Sequence, residues 1–214
     1  MKLKHQINDF FDFNSKYSSM TLRAHPVGLD LDIGTQQSEL FDHHRLILGD
    51  YNGIHFPIIF QQDHGSTLQD ILNTGHVSLL LISDKMKNFL ELNNLTGWKT
   101  FPIQLLDKKG SEILGYHGFS ITGRCGPIDY AKSELIEKLV PATPPFFLRK
   151  FYKGLYVGLE KWDGTDFFVP EGVLHIIITE KASSVLKRNK LTNIYLKNLS
   201  EIETPENDIK ILNS

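Results

Sequence analysis

Apolar positions in this chain fall into short runs broken by turn formers, and the clearest run, Val77-Ser78-Leu79-Leu80-Leu81-Ile82, opens a readable unit. The run is too short for a free-standing helix, so it predicts a strand buried on both faces. Ser83-Asp84 then carries a helix start, Lys85, Met86, Phe89, Leu90 and Leu92 give an apolar stripe at helical spacing, and Asn93-Asn94 stops it. Leu95-Thr96-Gly97 turns the chain into Trp98 to Leu106, a second predicted strand.

The same grammar returns 96 positions later. Val173 to Ile178 is the strand, Thr179-Glu180 the helix start, and Asn189-Lys190-Leu191-Thr192 matches Asn93-Asn94-Leu95-Thr96. Six positions between 82 and 96 are repeated identically between 178 and 192: Ile, Lys, Leu, Asn, Leu and Thr. Two readings fit this likeness, a repeated unit or the ordinary resemblance of any strand, helix and turn of this size.

The remaining pattern is mostly strand-like. Met20 to Ala24 predicts an edge strand ended by His25-Pro26, and Leu29 to Gly34 alternates at period two, as a half-buried strand does. Leu46-Ile47-Leu48, the turn Asp50 to Gly53 and Ile54 to Phe60 predict strand, turn and strand, with Pro57 favouring an edge or a bulge. Thr67 to Asn73 suggests a short helix. Asp107-Lys108-Lys109-Gly110 predicts a turn pairing Phe101 to Leu106 with Glu112 to Phe119. Glycines 115, 118, 123 and 126 predict an irregular segment, followed by Asp129 as a cap and a helix over Ser133 to Leu139. Pro141 to Pro145 reads as a linker, and Gly154 to Leu159 with Phe167 to Val169 as a hairpin.

The expected fold class is therefore α+β, with mixed sheets, two similar strand-helix-strand units and antiparallel hairpins. The chain divides on this reading into an N-terminal mostly-β region (1–75), an α+β region (76–203) holding the units 77–106 and 173–202, and a polar tail (204–214).

Composition narrows the function. The 214 residues can bury a substantial core, and 41% hydrophobic with 22% charged residues is ordinary for a globular protein. A net charge of −2 gives no general basic field to gather nucleic acid. The opening residues lack a signal-peptide core, no apolar run approaches a membrane span, and the single Cys125 allows no intrachain disulfide, so a cytoplasmic location is expected.

Candidate chemistry is thin. Asp42 and His44 with Asp63 and His64 could form a four-ligand metal set and support a metal-dependent hydrolase, although His43 and His44 cannot both ligate from one strand without a turn. Cys125 beside Arg124, with His117 upstream, is a possible activated thiol, but a lone cysteine more often packs as a small apolar side chain. Lys150, Lys153, Phe151, Tyr152 and Tyr156 mix basic and aromatic residues, as single-stranded nucleic-acid sites do, or form a strand with one wet face. The glycine runs lack phosphate-loop spacing, and Asp163 with Asp166 suits a turn cap better than an acid and base pair. No cofactor is implied.

Leu80-Leu81-Ile82-Ser83-Asp84 with Leu95-Thr96-Gly97, Gly115-Tyr116-His117-Gly118, Gly123-Arg124-Cys125-Gly126-Pro127-Ile128-Asp129, and Lys161-Trp162-Asp163-Gly164-Thr165-Asp166-Phe167-Phe168 occur together here. In these the chain resembles a bacterial family reinterpreted from a domain of unknown function as predicted immunity proteins of polymorphic-toxin systems. The resemblance spans approximately residues 77 to 203, and the Trp-Asp-Gly block is its most distinctive part. It implies a cytoplasmic protein that binds and neutralises a cognate toxin without a reaction of its own, with no membrane or nucleic-acid partner. It carries over no catalytic residue. An inhibitor needs a rigid surface with aromatic anchors, which marks the glycine loop and the tryptophan turn, with Tyr116, His117, Arg124, Trp162 and Asp166, as candidate contacts.

Overall fold

Strands that read as unbroken apolar runs need cover on both faces, and two sheets packed against each other supply it. In the computed structural model, residues 6–27, 43–140, 147–206 and 209 are described. One sheet has seven strands, in the spatial order β6 (Trp98–Phe101), β8 (Tyr116–Ile121), β5 (Leu80–Ser83), β4 (Ile71–Asn73), β2 (Arg23–Pro26), β3 (Ile58–His64) and β7 (Ile103–Leu106). A second has six, in the order β12 (Val157–Gly158), β9 (Gly123–Ile128), β13 (Phe167–Pro170), β14 (Ile177–Thr179), β1 (Phe10–Ser15) and β15 (Ile194–Asn198). Three more strands, β10 (Glu134–Val140), β11 (Phe147–Lys153) and β16 (Glu203–Pro205), form a small antiparallel sheet. Helices α2 (Asp84–Leu92) and α3 (Glu180–Arg188) follow β5 and β14, and a short α1 (His43–Ile47) packs on β8. Mixed sheets with few helices fit the expected α+β class.

Leu80 and Ile82 face a core shared by the two sheets, where they meet Phe13, Phe119, Phe167 and Ile178, together with Met86 and Leu90 of α2 and Val185 and Leu186 of α3. Leu79 and Leu81 face the other way, into a second core with Phe60, Phe101 and Leu105. Ile177 does the same in the second sheet, against Phe10 and Phe168. This two-sided burial is why these strands show no polar alternation.

Both helix starts are as the sequence suggests. The Ser83 hydroxyl accepts from Met86 N at 3.1 Å and the Thr179 hydroxyl from Ala182 N at 3.3 Å, satisfying one free donor in each first turn. The strand-helix-strand connection differs from a simple parallel crossover, because β5 and β6 each pair antiparallel with β8, which lies between them. β14 and β15 flank β1 in the same way.

Several elements differ from expectation for identifiable reasons. The strand predicted over Trp98 to Leu106 breaks at Pro102, and its two parts lie at opposite edges of one sheet, so the sheet curls round to bring those edges together. Gly118 lies directly opposite Phe101 on the neighbouring strand and leaves room for its ring, since a Cβ there would sit 2.1 Å from it. Glu112 to Phe119 pairs with Leu106 only through an isolated bridge at Glu112, and β8 pairs with β5 and β6 instead. Ser133 to Leu139 is mainly strand, its cross-strand partners in β11 replacing the helical bonds. Thr67 to Asn73 ends in β4, and Leu46-Ile47 belongs to α1. β2 is an interior strand between β3 and β4, and the glycine segment from 123 is β9, bordered by β12 and β13. Gly154 to Leu159 and Phe167 to Val169 are thus separated by β9 rather than paired. The strand over Leu29 to Gly34 and the linker Pro141 to Pro145 lie outside the described residues, although β10 and β11 on either side of the latter form one hairpin.

Candidate functional site

Each candidate contact residue is held by internal bonds. Tyr116 and His117 open β8. The Tyr116 hydroxyl donates to Gln69 O at 2.9 Å, and burial, with the Asp70 charge nearby, pushes its pKa up to about 12. His117 Nε2 lies 2.6 Å from Oδ1 of Asp84, which sits in the first turn of α2 where a carboxylate suits the helix dipole. The Arg124 guanidinium bonds to three carbonyls, Ile121 and Gly123 through Nη1 at 2.7 and 2.8 Å and Leu48 through Nη2 at 2.7 Å. It ties the end of α1 to the β8–β9 turn, and burial lowers its pKa, partly offset by Asp163.

Trp162 packs edge-on to Phe10 at 5.3 Å and tilted to Phe168 at 5.5 Å, and its indole N–H donates to Thr165 O at 3.1 Å. Asp163 holds the turn beside it, accepting from Thr165 N at 3.1 Å, Thr165 Oγ1 at 2.6 Å and Arg124 N at 2.8 Å. Asp166 is 6% exposed. Its Oδ2 accepts from Thr96 N at 3.0 Å, Thr96 Oγ1 at 3.3 Å and Lys181 Nζ at 3.0 Å, and its Oδ1 from Thr179 Oγ1 at 3.1 Å.

A residue that sequence reasoning passed over, Asp70, has the same setting. Its Oδ2 accepts from Thr192 N at 2.7 Å, Thr192 Oγ1 at 2.9 Å and Lys85 Nζ at 3.1 Å, and its Oδ1 from Ser83 Oγ at 2.9 Å. Burial alone would raise its pKa, but the bonds from Thr192, Ser83 and Lys85 outweigh burial and hold it below the usual carboxylate value. The signal was available: Asp70 stands 96 positions before Asp166, just outside the stretch of identities.

The proposed metal set does not assemble. Asp63 is engaged by Arg23 through bonds of 2.7 and 3.0 Å, His44 is on α1, and Asp42 lies outside the described residues. Among the described residues no three His, Cys, Asp or Glu side chains are grouped to hold a metal ion. Cys125 is 4% exposed, and burial, with Asp163 and Glu160 adding, pushes its thiol up to about 12, so almost none is thiolate near neutrality. On β11, Lys150 and Tyr152 share one face and Phe151 the other, and Lys150 Nζ is 4.0 Å from Glu137.

Two adjoining cavities of about 590 and 720 Å³ lie where the sheets meet, sharing His44, Gly172, Val173 and Leu174. Arg124, Cys125 and Lys161 line the first. The second is lined by His43, His76 and His175, with the His43 ring 4.5 Å from His44 and 5.0 Å from His76, and His175 Nδ1 3.2 Å from Asp12 Oδ1. Burial, helped by nearby His25, lowers the His76 pKa. No helix among the described residues is long and apolar enough to cross a membrane.

No curated protein matches the chain. A family match covers residues 19–201, which takes in the first sheet, every strand of the second except β1, and the tryptophan turn, so the resemblance seen in the motifs extends into the N-terminal third. That coverage is most of the sequence, and the chain belongs to the immunity protein family Imm11.

Proposed function

We propose that this protein binds a cognate toxin and neutralises it by occupying its surface, catalysing no reaction itself. The observation that carries this reading is membership of the immunity family across 19–201. The internal commitment of the candidate groups supports it: the thiol is buried, Arg124 is held by three carbonyls, and Asp166 is enclosed by four donor contacts. A binder needs such rigidity, since ordering a loose surface on contact costs affinity.

The toxin would belong to a bacterial polymorphic-toxin system and meet this protein in the cytoplasm. Tyr116, His117, Arg124 and Trp162, each partly open to solvent, are the contact candidates that remain on the surface. Asp166 acts beneath it, holding the seam. Co-expression with the product of the neighbouring toxin gene tests the reading. Restored growth with co-purification of the pair is expected, and growth arrest with no complex formed would contradict it.

A further inference from the structure

Apart from β7, which has no counterpart, the strands of the first sheet follow the same order as the six of the second. Reading the first as β6-β8-β5-β4-β2-β3 and the second as β15-β1-β14-β13-β9-β12, the pairing directions agree at every step. Registers agree too. Ile71 lies opposite Ile82, and Phe167, 96 positions on, lies opposite Ile178, also 96 positions on. Trp98 pairs with Ile121, and Ile194 pairs with Ser15. Ile82 pairs with His117, and Ile178 with Phe11.

β8 and β1 therefore occupy equivalent places, yet each lies in the sheet of the other half of the chain. β1 precedes β2 in sequence and β8 precedes β9, so each is the opening strand of its own half. We infer that this chain is two copies of one unit, residues 10–106 and 116–198, that have exchanged their first strands.

Chance likeness of small motifs does not explain the polar contacts across the seam. Asp70, Ser83, Lys85 and Thr192 form one cluster, and Asp166, Thr179, Lys181 and Thr96 the other. Every member of the first has its counterpart 96 positions away in the second. The atoms correspond as well, down to Asp70 N donating to Thr192 Oγ1 at 2.8 Å and Asp166 N to Thr96 Oγ1 at 3.2 Å. Each aspartate caps its own half and grips a threonine of the other. Exchange and clamps together mean that neither half can open without withdrawing a strand and an acceptor from its neighbour.

The halves differ in what they insert between second and third strands. The first carries α1 there, packing Leu46 and Ile47 into the core. The second carries the β10–β11 hairpin, whose Leu135, Leu139 and Leu148 are exposed.

The exchange makes a distinguishing prediction about neighbours in the full chain. Asn14 lies opposite Tyr195 as arranged here. Without exchange β1 would take the place of β8, where the position equivalent to Asn14 is Ser120, opposite Lys99. Cysteines are introduced as Asn14→Cys with Tyr195→Cys and, separately, Asn14→Cys with Lys99→Cys, in the chain whose native Cys125 is buried. Each folded double variant is treated with a short bis-maleimide and digested for mass spectrometry. The 14–195 link is expected within one chain and the 14–99 link is not. Absence of the 14–195 link, with or without a 14–99 link, overturns the exchange. Should either variant fail to fold, hydrogen exchange on wild type and Asp70→Ala decides. Faster exchange at both Ser83–Met86 and Thr192–Leu196 supports the cross-seam clamp, and a change confined to Ser83–Met86 overturns it.

Discussion

Replacing Asp166 by alanine removes an acceptor that three residues share. The carboxylate takes Thr96 N, the hydroxyls of Thr96 and Thr179, and Lys181 Nζ, all within 3.3 Å. Lys181 is 57% exposed on its side chain, so its ion pair contributes at most about 1 kcal/mol. The neutral donors weigh more, since hydrogen bonds to a charged group contribute about 1.5–3 kcal/mol each. Thr96 is solvent-accessible, so water replaces part of what it loses. The net cost expected is about 2–3 kcal/mol, or a melting temperature lower by roughly 5–10 °C for a chain of this size. Asp166→Asn keeps the shape and one acceptor oxygen and should lose about half as much. Urea unfolding followed by tryptophan fluorescence, with thermal melts by circular dichroism, measures both. An alanine variant within about 0.5 kcal/mol of wild type, or an asparagine variant as damaged as the alanine, would refute the reasoning.

Other consequences can be checked alongside. Gly118→Ala drives a methyl group into the Phe101 ring in the first sheet, and urea midpoints should show a loss of about 1–3 kcal/mol; an unchanged midpoint would contradict the close contact. Trp162→Ala vacates the space between Phe10 and Phe168 and should cost about 3 kcal/mol in the same assay, whereas a purely contacting tryptophan would leave stability alone. Because the folded Asp70 carboxyl titrates below its ordinary value, its stabilisation is present above pH ~4 and disappears as pH falls through the folded value; the stability gap between wild type and Asp70→Asn should narrow below pH 4, and a gap that widens there reverses the sign. Cys125 should resist maleimide in the folded protein at pH 7.5 and react fully in urea, with rapid native labelling as the contrary result.

What the sequence disclosed depended on whether a signal was local. The runs at 77–82 and 173–178 declared buried strands, although the strands themselves are the shorter Leu80–Ser83 and Ile177–Thr179, and Ser83, Thr179 and Asp129 declared caps, because those effects act within a turn of chain. Glu134 to Val140 misled because Leu135, Ile136, Leu139 and Val140 stand at helical spacing, although as a strand they face both sides of a thin hairpin. β4 has three residues and gains its order from pairing with β5 on one side and with the distant β2 on the other, which no run so short can signal. Asp166 attracted notice inside a distinctive block, but its role depends on Thr96, 70 positions away. Asp70 escaped notice entirely, since Thr192 is 122 positions distant. Asp70 and Asp166 stand 96 positions apart, the same offset as the likeness at 82–96 and 178–192.

The central claim is that protection comes from occupancy and not from turnover, and stoichiometry separates the two. Purified protein titrated into a fixed amount of active toxin should reduce its activity in proportion, reaching completion near one chain per toxin and holding there with time. Complete loss of toxin activity at a small fraction of an equivalent, progressing as incubation lengthens, would mean that the chain destroys or modifies its target.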